Sequence, residues 1–101
     1  MPNEVLETEA FARLFGLLEK TEQEWIKKII RQLENNPKTG KPLGYDWFRE
    51  KKFKGKRLYY LSHQKTNKIL LVSFGKKKQQ QKIIDHVLEN KERYLKIVKG
   101  N

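Results

Sequence analysis

Residues 49–82 read REKKFKGKRLYYLSHQKTNKILLVSFGKKKQQQK. This stretch holds twelve Lys and Arg against one acid, Glu50, so its net charge of +11 equals that of the whole 101-residue chain. The other 67 residues carry eleven basic and eleven acidic side chains and cancel. Two strand-like runs, Arg57 to His63 and Lys68 to Phe74, are bracketed by two basic clusters, Lys51–Arg57 and Lys76–Lys78. Pairing the runs in a hairpin brings the clusters together. A neutral scaffold thus presents one basic surface with Tyr and Phe beside it, which points to a polyphosphate ligand, RNA foremost.

Lys54-Gly55 reads as a two-residue turn, which pairs Phe53 with Lys56 and Lys52 with Arg57. Lys52, Arg57 and Tyr59 then share one sheet face, with Glu50 close by. Phe53, Leu58 and Tyr60 share the other, expected to be the core. Arg57 is therefore expected on a solvent face beside Lys52, a like-charge pair that costs energy unless an anion lies between them. The plainer reading makes both solvated residues that guard a strand edge. Lys76, Lys77 and Lys78 end a strand and open a helix. Backbone amides at a helix start attract anions, while three lysines there oppose the dipole; an anionic ligand relieves both. The plainer reading is a solvated charge run. Gln79–Gln81 can hydrogen-bond to bases or ribose, or form an ordinary first turn. The expected nucleic-acid contacts are Arg49, Lys51, Lys54, Lys56, Lys76, Lys78 and Gln80.

Outward from this stretch, Val5 and Leu6 make a short edge strand. Thr8 caps a helix whose Phe11, Leu14, Phe15 and Leu18 form one apolar face and which ends near Lys20. Thr21 and Glu24 fit a capping box for a second helix, with Ile26, Ile29, Ile30 and Leu33 as its stripe and Asn35-Asn36-Pro37 as its stop. Pro37 to Gly44 reads as a loop, and Tyr45 to Phe53 as one strand. Lys68 to Phe74, apolar on both faces, belongs in the middle of the sheet and ends at Gly75. A last helix runs from about Lys76 to Lys96. The expected order is (β)ααβββα, an α+β fold in one domain spanning residues 1–101, with a helical hairpin and a C-terminal helix packed on one face of a mostly antiparallel sheet. Leu58, Tyr60, Leu70, Val72 and Phe74 are expected in one core with Ile29, Ile30, Leu33, Ile84 and Leu88.

The composition excludes several chemistries. With no cysteine and only His63 and His86, neither a disulfide nor a closed metal site is expected. Neither a P-loop nor a dinucleotide-binding glycine motif is present, so no cofactor is expected. No apolar run approaches the ~20 residues of a membrane span. The acidic start is unlike a signal peptide, so a cytoplasmic protein is expected.

Lys54-Gly55-Lys56-Arg57-Leu58-Tyr59-Tyr60 and Leu70 to Gln80, set in this element order, resemble the RelE/ParE toxin superfamily of type II toxin–antitoxin systems. The resemblance covers essentially the whole chain, and the KKKQQQKIID run looks like an archaeal branch. It implies a metal-independent, ribosome-dependent mRNA endonuclease in which the ribose 2′-hydroxyl attacks the adjacent phosphate, giving a 2′,3′-cyclic phosphate and a 5′-hydroxyl. It implies that Arg57 steadies the phosphorane charge, that Lys77 matches a second arginine, and that Lys52 lies near the family's lysine pair. Its general base would be a lysine with a depressed pKa. It further implies a small acidic antitoxin, together with ribosome and mRNA, as partners. Where the RelE pattern has a catalytic tyrosine, this chain has Ile83. A gyrase-inhibiting ParE-type toxin and a non-catalytic double-stranded-RNA-binding domain are the two rival readings.

Overall fold

The computed structural model describes residues 2–99. The elements are β1 (Glu4–Glu7), α1 (Glu9–Gly16), α2 (Lys20–Asn35), β2 (Lys41–Tyr45), β3 (Phe48–Phe53), β4 (Lys56–His63), β5 (Lys68–Lys76), α3 (Gln80–Glu89) and α4 (Lys91–Lys99). The sheet order is β1-β5-β4-β3-β2, antiparallel apart from the parallel β1–β5 pair. This is the expected α+β class.

Local chemistry sets the helix ends. The Thr8 hydroxyl accepts the Phe11 amide at 3.0 Å and starts α1. The helix stops at Gly16, short of Lys20, because Leu17 and Leu18 turn back onto Leu14 and Phe15 carbonyls in tighter bonds. α2 begins one turn-corner earlier than Thr21 suggests. Glu19 is the cap residue, and the Glu22 carboxylate reaches back to its amide at 3.3 Å. Thr21 lies inside the first turn, where its hydroxyl cannot serve as the cap. The last helix is two helices, because the Asn90 side chain bonds the His86 carbonyl at 2.8 Å and the ladder breaks there.

Lys41–Tyr45 is a strand where a loop was expected, and Tyr45 to Phe53 is broken by a turn at Asp46-Trp47. β2 is an edge strand, the one place in a sheet where Pro42 costs no ladder bond, and a register shift separates its two ends.

The sheet is covered on both faces, not one. Leu58, Tyr60, Ile69, Leu71 and Phe74 pack under Phe11, Ile26, Ile29 and Leu33 of α1 and α2. Phe48, Tyr59, Leu61, Leu70 and Val72 pack under Val87 of α3 and Val98 of α4. The single expected core is therefore divided: Leu70 and Val72 join Ile84, while the others join Ile29, Ile30 and Leu33. Leu88 is half-buried. The reason is that β4 and β5 are apolar on both sides, and each side needs its own helical layer. One irregularity positions the site. Tyr59 pairs with Ser73 but Tyr60 with Leu71, a bulge in β5. It resets the alternation, so Phe74 returns to the face of Leu71 and Gly75 turns to the face of Arg57.

Candidate nucleic-acid interface and catalytic cleft

The β3–β4 hairpin has the register expected from its turn, with Lys52 opposite Arg57 and Phe53 opposite Lys56. Lys54 takes a left-handed backbone, φ 55°, to close it. Further pairing sets Lys56 opposite Lys76 and Arg57 opposite Gly75. The Lys77 amide then donates to the Gly55 carbonyl at 3.1 Å, tying the hairpin tip to the entry of α3. These bonds bring the two basic clusters together. Lys52, Arg57 and Lys77 line one open cleft of about 470 Å³, with Lys41, Glu50 and Lys51 around them.

Arg57 lies on the expected face, but that face is not solvent. The residue is 7% exposed and Glu50 is 6% exposed. The second helical layer explains this, since α3 closes over the sheet from Gln80 onward. Arg57 Nε lies 3.7 Å from Glu50 Oε1, an ion pair without a hydrogen bond, and among the described residues it has no hydrogen-bond partner. The other Glu50 oxygen accepts from the Gln80 amide. Tyr59 is fully buried on the same face with its hydroxyl unpartnered, and burial first, then Glu50, raises its pKa above the ordinary phenol range. Leaving a buried donor unpaired costs about 1–3 kcal/mol. The fold thus holds a guanidinium at the cleft wall at the expense of stability, an arrangement typical of sites that meet anionic charge.

Several expected contacts are committed elsewhere. Arg49 faces the opposite side, is 7% exposed, and donates to the Gly40 carbonyl (3.1 Å), the Asp46 carbonyl (3.1 Å) and the Asp46 carboxylate (2.8 Å). It anchors β2 and the turn before β3, and is not a nucleic-acid contact. Gln80 holds Glu50 and is half-buried. Lys56 is paired with Glu22 at 2.5 Å. The expected amide nest at the helix start is also spent, on Gly55 and on Gln79 Oε1. Lys52, Lys54, Lys76, Lys77 and Lys78 remain exposed and Lys51 half-exposed. Ile83 sits over Gly75, within 3.4 Å of where a β-carbon would stand, and brings no ionisable group to the cleft. Glu50 and Tyr59 are the members that sequence reasoning undervalued; the face assignment named them, but nothing signalled that helices would bury them. Among the described residues no His, Asp and Glu gather as a metal site.

This architecture, a five-stranded sheet with a basic hairpin clamped to the start of a helix, is the RelE-like toxin fold. The chain matches E. coli RelE in the intact RelBE toxin–antitoxin complex with a TM-score of 0.66 at 22% identity, over 73% of this chain and 95% of that one. It matches the isolated E. coli RelE toxin at 0.65 and 18% identity, over 84% and 98%. A RelE mutant bound to an antitoxin RelB peptide matches at 0.67 and 22%, over 75% and 84%. Neither a family model nor a curated protein matches the sequence. The double-stranded-RNA-binding order leaves no place for α1, for the parallel strand β1 or for β2.

Proposed function

We propose that the chain is the toxin of a toxin–antitoxin pair and cleaves mRNA on the ribosome. The observation that carries this reading is the convergence of Lys52, Arg57 and Lys77 on one cleft within a RelE fold. In the reaction the ribose 2′-oxygen attacks the adjacent phosphorus and the bond to the 5′-oxygen breaks, giving a 2′,3′-cyclic phosphate and a 5′-hydroxyl. No metal is invoked. Arg57 and Lys77 meet the negative charge that grows on the phosphorane oxygens. Lys52, directly across from Arg57, meets the attacking oxygen. The departing oxygen must gain a proton. Ile83 offers none, and Tyr59 is sealed below the cleft, so solvent is the source.

Lys51, Lys54, Lys76 and Lys78 hold flanking phosphates. The same +11 surface suits a small acidic antitoxin. Acting on ribosomes places the protein in the cytoplasm; among the described residues no helix is long and apolar enough to cross a membrane.

Ile83 favours one rival, a ParE-type toxin that inhibits gyrase without nuclease chemistry. Induced expression with growth, mapped mRNA cleavage and gyrase supercoiling as readouts separates the two. Cut mRNA ending in 2′,3′-cyclic phosphate is expected. Arrested growth with intact mRNA and poisoned supercoiling would replace the nuclease reading with the ParE-type one.

A further inference from the structure

The hairpin tip has a second concave side. There Phe53, Lys54 and Lys56 face Lys76 and Lys78 across a depression of about 440 Å³. Strand alternation sets it on the α2 side of the sheet, whereas Lys52 and Arg57 face α3. Its floor is aromatic. Phe53 is half-buried, stacked on Trp25 with ring centroids 4.7 Å apart, and the Lys54 ammonium stands 5.4 Å from the Phe53 ring. Its rim is cationic. Lys54, Lys76 and Lys78 are exposed, and the one acid in the depression, Glu22, is already neutralised by Lys56. Lys77 lines both this depression and the Arg57 cleft, so the two are contiguous around the tip.

We propose that this depression is a second nucleotide subsite, which takes the base of a single-stranded RNA against Phe53 and its phosphate between Lys54 and Lys78, while a neighbouring phosphate lies in the Arg57 cleft. The inference rests on the RNA reading above. An aromatic floor under a cationic rim is the pairing that single-stranded nucleic acid needs, because every base has a π-face and every linkage a charge. The chain would then wrap the tip, crossing Lys77 between the two sides.

The test is binding of 2′-O-methyl oligoribonucleotides of increasing length, which cannot be cleaved, across a salt series. Wild type should gain affinity when the oligonucleotide becomes long enough to occupy both sides. Lys54→Ala/Lys78→Ala, at exposed positions, should abolish that gain, leave dinucleotide binding unchanged, and flatten the salt slope for the long oligonucleotide by about 1.4, at roughly 0.7 per phosphate contact. Phe53→Leu should weaken the long oligonucleotide by about fivefold or more, the loss of one stacked base. Lys96→Ala/Lys99→Ala on α4, at the other end of the sheet, should change nothing. The proposal is overturned if the Lys54/Lys78 variant matches wild type at all lengths, or if it loses dinucleotide and long-chain affinity equally. It is also overturned if the variant keeps its RNA affinity and loses only binding to a poly-glutamate peptide, which would make the depression a protein site. A wild type that shows the length gain yet leaves ribosomal mRNA intact removes the nuclease and keeps the subsite.

Discussion

Arg57→Ala tests whether the buried arginine serves catalysis, stability or both. Were it a solvated strand residue, its loss would cost at most about 0.5 kcal/mol. It is instead 7% exposed and faces a carboxylate 3.7 Å away that is itself 6% exposed. Removing one partner of a buried, hydrogen-bonded pair costs about 3–5 kcal/mol. Here the pair lacks a hydrogen bond and Gln80 still donates to Glu50, so about 2 kcal/mol is the working figure. At roughly 4–8 °C per kcal/mol for a domain of this size, the melting temperature should fall by about 10 °C. Glu50→Gln in the same chain removes the stranded charge and should restore most of that loss. Cleavage should not return, since loss of one oriented donor to a developing oxyanion costs about 2.7–4 kcal/mol, a hundred- to thousandfold in rate. The assay is thermal melting beside ribosome-dependent mRNA cleavage for wild type, Arg57→Ala and the double variant. An Arg57→Ala protein as stable as wild type refutes the buried-pair account. A double variant that cleaves at the wild-type rate refutes the catalytic one.

Gly40→Ala should destabilise by about 3 kcal/mol, because its β-carbon would stand 2.2 Å from the Glu50 carbonyl, which cannot move aside; Gly16→Ala, with open space around it, should gain about 0.5 kcal/mol in chemical denaturation. Burial raises the pKa of Tyr59, Tyr60 and Tyr94 above that of the unfolded chain, about 10. The folded state therefore holds its phenol protons longer, so stability is fully present below pH ~10 and is lost as pH rises through the folded values. Tyr59→Phe should leave neutral stability unchanged or higher, since its hydroxyl is unpartnered, and should weaken the alkaline loss in a pH series of melts. Ile83→Tyr should raise the cleavage rate by supplying the missing acid; an unchanged rate in a folded variant would show that proton donation does not limit the reaction.

The sequence by itself determined the elements whose information is local. The Thr8 cap, the α2 stripe, the Lys54-Gly55 turn and the hairpin register it implies are all readable from neighbouring residues, because hydrogen bonds and side-chain alternation act over a few positions. The charge count along residues 49–82 located the basic surface for the same reason. Composition misled at Lys41–Tyr45, where proline and glycine suit a loop but an edge strand tolerates both. What only the tertiary structure decided are the facts that depend on partners far along the chain. Helices cover both faces because β4 and β5 are apolar on both sides, and no local rule says to which side a helix returns. That choice turned Arg57 and Glu50 from solvated strand residues into a buried pair, and made Arg49 an anchor for β2. The bulge between Tyr59 and Tyr60 aimed Gly75 toward the arginine, a shift invisible to period-two counting because it arises from the pairing of two strands and not from either one.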